Sequence, residues 1–476
     1  MGQGERRSGR DRRARWGVLC AAVLALVGCA SYSPRPPDPE QNRTVFEARR
    51  LSDPVLAQRL VQLLPPPAQP PAGSWGTAEL LIAAAHFNPA LAEARVHVTE
   101  ALAAVTTAST IPNPTLALSF EYDLQRYAES PWLWGASTAF LWDSALRRRL
   151  RTELAQTGVR AARLDYAEAL WGVRRDLRAA LLTAVIAERR LALLAGAERD
   201  RAELAGLVER RVTAGESAAS ERLQGELELA RTREAAAEAA RALDEARARL
   251  AVVVGVPVRA LEGQTLRFDS LETPEPANEP QLAELRERAL LSRADLERAI
   301  GDYQAREIEL RQQVRAQYPQ LTIGPGYLYD HGIRKATLGV SFALPVFDHN
   351  RGPIAEASAR RDAAGLHLLT VQAQILGDID AARSAYHLAL EALAAAHAQS
   401  ERARALAESV ARGLAVGADD RPTLLAARLA AGADALVELD ALERAQQALG
   451  QLEDALRAPL AGAETALRLG TEPEEH

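Results

Sequence analysis

Between Thr115 and Tyr122 the chain alternates: Leu116, Leu118, Phe120 and Tyr122 are large and apolar, while Thr115, Ala117, Ser119 and Glu121 lie between them. A period of two marks a strand whose faces meet different surroundings. After a turn from Asp123 to Pro131, Trp132, Trp134, Phe140 and Trp142 again fall on a single face. Farther on, Leu321, Ile323, Tyr327 and Tyr329 alternate in the same way, followed by Ala336, Leu338, Val340, Phe342 and Leu344. The pattern predicts two hairpins. Tryptophan and tyrosine near strand ends suit a membrane interface, and Leu118, Phe120, Trp134, Phe140, Leu338, Val340 and Phe342 are assigned to face lipid. The alternative is a four-stranded sheet packed on helices. Hydrocarbon tolerates no open sheet edge, and four strands are too few to close a barrel, so strands from several chains must combine.

The remaining pattern is helical. No proline occurs between Trp132 and Val256, nor between Ile354 and Arg421. The 68 residues from Ser144 to Arg211 would reach roughly 100 Å as a helix. Heptad spacing appears in Ala236, Ala239, Leu243, Ala246, Leu250 and Val253, and again in Leu442, Ala445, Leu449, Leu452 and Leu456, which predicts coiled-coil packing. Alanine in such a seam brings helices close together, as a wall of paired helices requires.

The chain also repeats itself. A shift of 205 superposes Leu91 on Leu296, Pro114 on Pro319, Leu116 on Leu321, Leu118 on Ile323 and Tyr122 on Tyr327. A shift of 204 aligns Gly135-Ala-Ser137-Thr-Ala139 with Gly339-Val-Ser341-Phe-Ala343, and one of 202 places Gly215 on Gly417 and Leu223 on Leu425. Two tandem halves follow, about 77–257 and 279–458, each a helix, two strands, a long helix, a glycine and another helix.

At the N-terminus, six arginines between Arg6 and Arg15 precede an apolar run from Trp16 to Val27 that is too short to span a bilayer. This is a signal peptide over residues 1–28. It ends in Leu26-Val27-Gly28-Cys29, which resembles the lipobox at which bacterial lipoproteins are cleaved and acylated, so Cys29 is the expected lipidation site. Ala30 stands where lipoproteins kept in the inner membrane usually have aspartate, which implies delivery to the outer membrane. From Ser31 to Pro71 ten prolines favour extended, polyproline-like backbone, so residues 29–73 form a Pro-rich tether, either free or laid as a strip against the body.

Composition narrows the class. Alanine, leucine and arginine dominate and aromatic residues make up 5%, as long helices require. Cys20 leaves with the signal and Cys29 carries lipid, so the mature chain has no thiol for a disulfide or metal. Removing residues 1–28 takes six arginines and two acids, and the formal charge falls from −6 to −10, which argues against nucleic acid as a partner. No P-loop, no His-Glu-x-x-His and no nucleophile elbow is present, so the chain is expected not to be an enzyme and to need no cofactor. His86 and His97 are eleven apart and could share a helical face, but metal sites need further ligands, and no metal site is assigned. Asp419 and Asp420 could sense cations, although charge at a helix-turn tip is usually just solvated.

Four stretches then carry a family resemblance: Asn88-Pro89-Ala-Leu91, Ile111-Pro112-Asn113-Pro114, Leu344-Pro345-Val-Phe347-Asp348-His-Asn350-Arg-Gly352, and the turns at Gly215 and Gly417. The chain from about Thr77 to Ala458 resembles the outer-membrane efflux proteins typified by TolC, and the third stretch looks closest to the cation-efflux lipoprotein branch of CzcC- and CusC-like proteins. The resemblance implies a fold that is mainly α with a transmembrane β-barrel portion. In it a homotrimer builds one twelve-stranded barrel in outer-membrane lipid above a long periplasmic helical tunnel. It further implies a passive conduit for heavy-metal cations or drugs, served by a periplasmic adaptor and an inner-membrane RND-type pump. Adaptor docking or gating would then fall at Gly215, Gly417, Asp419 and Asp420, with residues 459–476 a C-terminal tail. One departure concerns the aspartate usual after the turn glycine, which this sequence replaces near Ser220 and Glu221 and at Thr423. A reading from another class is a non-channel coiled-coil envelope lipoprotein acting as spacer or scaffold, which has no need of lipid-facing strands.

Overall fold

The computed structural model describes residues 32–64, 73–124, 130–269, 271–272, 274, 278–460 and 464. The expected signal peptide, Cys29 and all of the tail beyond Pro459 except Leu460 and Glu464 lie outside the described residues. The chain divides into two compact units, Met1–Ala48 and Arg49–His476. The first contributes one described helix, α1 (Pro39–Ala48), whose first turn is capped by the Asp38 carboxylate accepting from the N–H groups of Glu40 and Gln41.

The second unit opens with α2 (Pro54–Leu63), capped by Asp53. Two helices thus stand where extended backbone was expected. Pro39 and Pro54 occupy first turns, where a missing N–H costs nothing. Leu51, Leu56, Leu60 and Leu64 are buried in the unit's largest core with Leu80, Ile82, Leu181 and Leu250, so residues 49–64 are part of the body and not a free tether.

Next come β1 (Ser74–Trp75), α3 (Thr77–Phe87), α4 (Pro89–Ser109), β2 (Thr115–Tyr122), β3 (Trp132–Trp142), α5 (Ala145–Thr213) and α6 (Ala219–Val254). After β4 (Thr265–Leu266), which pairs in parallel with β1, follow α7 (Glu279–Ser292), α8 (Ala294–Ala316), β5 (Leu321–Asp330), β6 (Ile333–Phe342), α9 (Arg351–Ala415) and α10 (Arg421–Leu456). Helix α5 runs 69 residues and α9 65 without a break. In α6 the buried stripe is Ala239, Leu243, Ala246, Leu250 and Val254, while Leu442, Ala445, Leu449, Leu452 and Leu456 are buried in α10.

The four long strands form one antiparallel sheet in the order β2-β3-β5-β6. Adding 205 to β2 and 204 to β3 carries one hairpin's register onto the other's: Leu116↔Thr138 onto Leu321↔Phe342, and Leu118↔Ala136 onto Ile323↔Val340. The helices that enter and leave the sheet keep the same sequence, α4 packing on α5, α5 on α8 and α8 on α9, while α6 returns along α5 and α10 along α9 and α5.

The short motifs shape junctions. Asn88 caps α4 by accepting from Ala90 N–H and donates from Nδ2 to the Val253 carbonyl at 2.7 Å. There Gly255, at φ +83°, leaves no room for a side chain, since a Cβ would come within 2.6 Å of the Phe87 carbonyl oxygen. This break separates His86, at the end of α3, from His97 in α4, so the two share no helical face. His97 instead lies near Glu93 and Glu100. Asn350, at φ +58°, starts α9 and ties it to α8 by donating from Nδ2 to the Gln313 carbonyl at 2.7 Å.

Candidate functional site

Register and pleat together decide what each face of the sheet presents. Leu116, Leu118, Phe120 and Tyr122 of β2 lie beside Trp132, Trp134, Ala136 and Thr138 of β3. Phe140 and Trp142 continue onto Ile323 and Leu321, and these onto Val340 and Phe342, with Leu338 opposite Pro325. Leu344 lies past the end of β6. The opposite face carries Ala117, Ser119, Gly135, Ser137, Gly324, Gly326, Thr337, Gly339 and Ser341. One face is therefore mainly large and apolar across all four strands, interrupted by Thr138 and Arg334, and the other is mainly small and polar, with Leu133, Leu141, Leu328 and Ile333 toward its ends.

The apolar face is not a core. Phe120 is 70% exposed, Leu338 72% and Trp142 64%, and Leu118, Trp134, Phe140, Val340 and Phe342 are exposed as well. Burying the seven assigned side chains would contribute on the order of 10–20 kcal/mol. A contiguous patch of this kind marks a surface that meets apolar surroundings. Aromatic rings gather at its turn end, where Trp134 stacks on Tyr329 at 5.9 Å and Tyr122 meets Trp132 edge-on at 4.9 Å. His331 Nδ1 lies 2.8 Å from the Ser130 carbonyl, so the two hairpin turns sit together at the end opposite the helices. Among the described residues the outer strands β2 and β6 each have one partner, which leaves two open edges. Among the described residues no helix is long and apolar enough to cross a membrane.

The other assigned residues lie where α5 and α9 end, roughly 100 Å of helix from the sheet. Gly215 has φ +76° and Gly417 φ +79°. In each turn the residue after the glycine bonds back five residues, Glu216 N–H to the Arg211 carbonyl and Ala418 N–H to the Gly413 carbonyl, both at 2.8 Å. Only glycine enters this left-handed conformation without a Cβ penalty. The following helices are capped differently: Asp420 accepts from Thr423 N–H at 2.9 Å, whereas Ala218 offers no side-chain cap. The capping aspartate of the second turn is thus Asp420, with Thr423 as its donor. Those donors hold the Asp420 carboxyl below the usual carboxylate range. Asp419 folds back into the space a side chain at Gly413 would need. Arg421 grips Glu203 of α5 with two bonds of 2.6 Å, joining the second turn to the first helical hairpin and lowering the glutamate's pKa.

A buried charge cluster escaped the sequence analysis. Arg174 of α5 donates to Glu453 of α10 at 2.8 Å and to both oxygens of Glu464 at 2.7 and 3.0 Å, and Arg178 reaches Glu453 at 3.2 Å and the Gln446 carbonyl at 2.8 Å. Burial pushes the Glu464 carboxyl up and the Arg178 guanidinium down. Its only signal in the sequence is arginine at two positions four apart among leucines, which also fits a solvated stripe. Among the described residues no group of three or more histidines, cysteines or acids could hold a metal ion.

Residues 80–256 match the family described as outer membrane efflux protein. The cobalt-zinc-cadmium resistance protein CzcC of Cupriavidus metallidurans is 29% identical over 300 residues, which span 60% of this chain and 66% of that relative's length. The outer-membrane channel OprN superposes with a TM-score of 0.66 at 19% identity, covering 90% of this chain and 98% of its own. CusC, which forms a transmembrane channel, superposes with a TM-score of 0.64 at 16% identity, covering 80% and 91%. At such identities these two likenesses speak to fold. The matched segment, the relative and the shared fold agree in what this chain is similar to: the outer membrane efflux proteins.

Proposed function

We propose that this chain is the outer-membrane channel of a tripartite efflux system, a passive conduit that closes only when three copies combine. The observation that carries the reading is the sheet: two open edges and one apolar, exposed face. In hydrocarbon each unpaired backbone group costs several kcal/mol, so β2 of one copy must pair with β6 of the next. Three copies give twelve strands, with Ser119, Ser137 and Ser341 toward the lumen. The matching registers of the two hairpins support reading the chain as tandem halves, each supplying one hairpin and one helical pair to the wall. A spacer lipoprotein would have no use for such a face.

The periplasmic adaptor and the RND-type pump dock at the far end, around Gly215, Gly417, Asp419 and Asp420, while acylated Cys29 holds the N-terminus in the same membrane. Selection then rests with the pump, and the name of the relative CzcC makes divalent heavy-metal cations the first solutes to test. Detergent-extracted protein imaged by electron microscopy should show three-fold symmetry and conduct ions in planar bilayers. A stable monomer that retains its full strand content overturns the proposal. Mass spectrometry of the mature N-terminus should show acyl mass on Cys29, and an unmodified terminus would remove the anchor.

A further inference from the structure

We infer that the groove between the start of α5 and the end of α8 holds a phospholipid, its headgroup phosphate on Arg149 and Arg315 and an acyl chain against Leu146 and Val314. The inference rests on the placement of the sheet in a membrane proposed above. The groove encloses about 500 Å³ and adjoins the sheet directly, since β3 ends at Trp142 and α5 begins at Ala145. From Leu146 to Glu153 the helix rises roughly 10 Å, and a headgroup layer is about 5–8 Å thick. The groove therefore begins at the hydrocarbon boundary and crosses the layer where phosphates lie. Strands β3 and β5, and helices α5 and α8, are the inner members of their layers, so pairing of copies through β2 and β6 would not use the elements that form the groove.

The charges around the groove are unevenly matched. Arg151 holds Asp143 at 2.7 Å, and Arg311 lies 3.6 Å from Glu153 and 3.7 Å from Glu307. Arg147 directs its donors to the Arg315 and Tyr318 carbonyls. Arg149 is exposed and has no ion pair or hydrogen bond among the described residues. The guanidinium of Arg315 stacks over the Tyr318 ring at 4.9 Å, and its Nε–H is buried without an acceptor. A phosphodiester would supply a negative charge to Arg149 and to the guanidinium of Arg315. Leu146, 46% exposed, lies on the sheet side of Arg149, and Val314, 44% exposed, lies beside Arg315, and the two provide the apolar wall. Tryptophan, tyrosine and arginine beside an aliphatic trough match an amphiphile with one anionic end.

The test is native mass spectrometry of the full chain in nonionic detergent, offered phosphatidylglycerol, phosphatidylethanolamine, diacylglycerol or inorganic phosphate. Wild type should retain one phospholipid of either kind per chain. Arg149→Glu, at an exposed position that leaves folding intact, should weaken retention about tenfold, and adding Arg315→Gln should weaken it further. Equal retention by wild type and both variants, or equal retention of diacylglycerol, overturns the site. Capture of inorganic phosphate without lipid overturns it too, in favour of a simple anion site. Flotation of the same samples with vesicles separates the two readings: protein that does not float defeats the membrane placement, while protein that floats with unaltered lipid retention defeats the groove alone.

Discussion

In the sheet Phe120, Leu338 and Trp142 stand in the open, whereas at the junction of α5 and α10 Arg174, Arg178 and Glu453 are shut away from water. Each region inverts what a water-soluble protein does, and for different reasons. The exposed face is suited to a solvent other than water, so its stability depends on what surrounds the chain. The buried charges are matched internally, with Glu453 receiving both arginines and also accepting from the Leu460 N–H at 2.8 Å. Such a cluster adds little net stability, because desolvation offsets the attraction. What it supplies is alignment. A forked guanidinium meets two carboxylates in only one register of α5 against α10, and those helices belong to different halves of the chain.

The comparison predicts where damage is greatest. Glu453→Ala leaves the buried Arg178 without a carboxylate and Arg174 with Glu464 alone, and should cost about 3–5 kcal/mol, read as a lower unfolding midpoint in detergent. A neutral outcome there would mean that water reaches the cluster. Next, arginine at Leu338 or Val340 should cost about 2–4 kcal/mol on folding into lipid vesicles, while Ser341→Arg, on the small polar face, should be milder. The same variants in detergent-free water should show no such split, since lipid is what tells the faces apart. Equal tolerance at all three positions in vesicles would erase the distinction between the faces.

A smaller effect is expected at the helix ends. Nothing lies within 4 Å of a Cβ built on Gly215 or Gly417, so Gly417→Val pays only for left-handed backbone, about 1–2 kcal/mol. Insertion and trimer formation should persist, while adaptor crosslinking and export fall together. Normal export by this variant would free the turns of any docking role. The smallest effect concerns His397, whose Nδ1 lies 2.6 Å from Glu438 and whose pKa is raised by that contact. A raised histidine stabilises the fold while protonated, so its contribution is present below the ordinary imidazole value and fades as pH rises through the raised one. His397→Gln should flatten that part of a stability profile and leave the sheet unaffected.

Much of this was legible in the chain alone. Strand faces are readable because a strand residue meets one of two environments, so Leu116 through Tyr122 and Trp132 through Trp142 declare their sides without reference to any neighbour. The long helices are readable because proline is absent and glycine recurs at matching places. Tertiary structure alone decided that residues 49–64 join the core, that Asn88 and Gly255 lock α3 and α4 into separate helices, and that Arg174 meets partners 279 and 290 residues away. Periodicity records the surroundings of one element. It carries no information about which distant element a polar side chain will face, and that choice is made by the packing of the helices on one another.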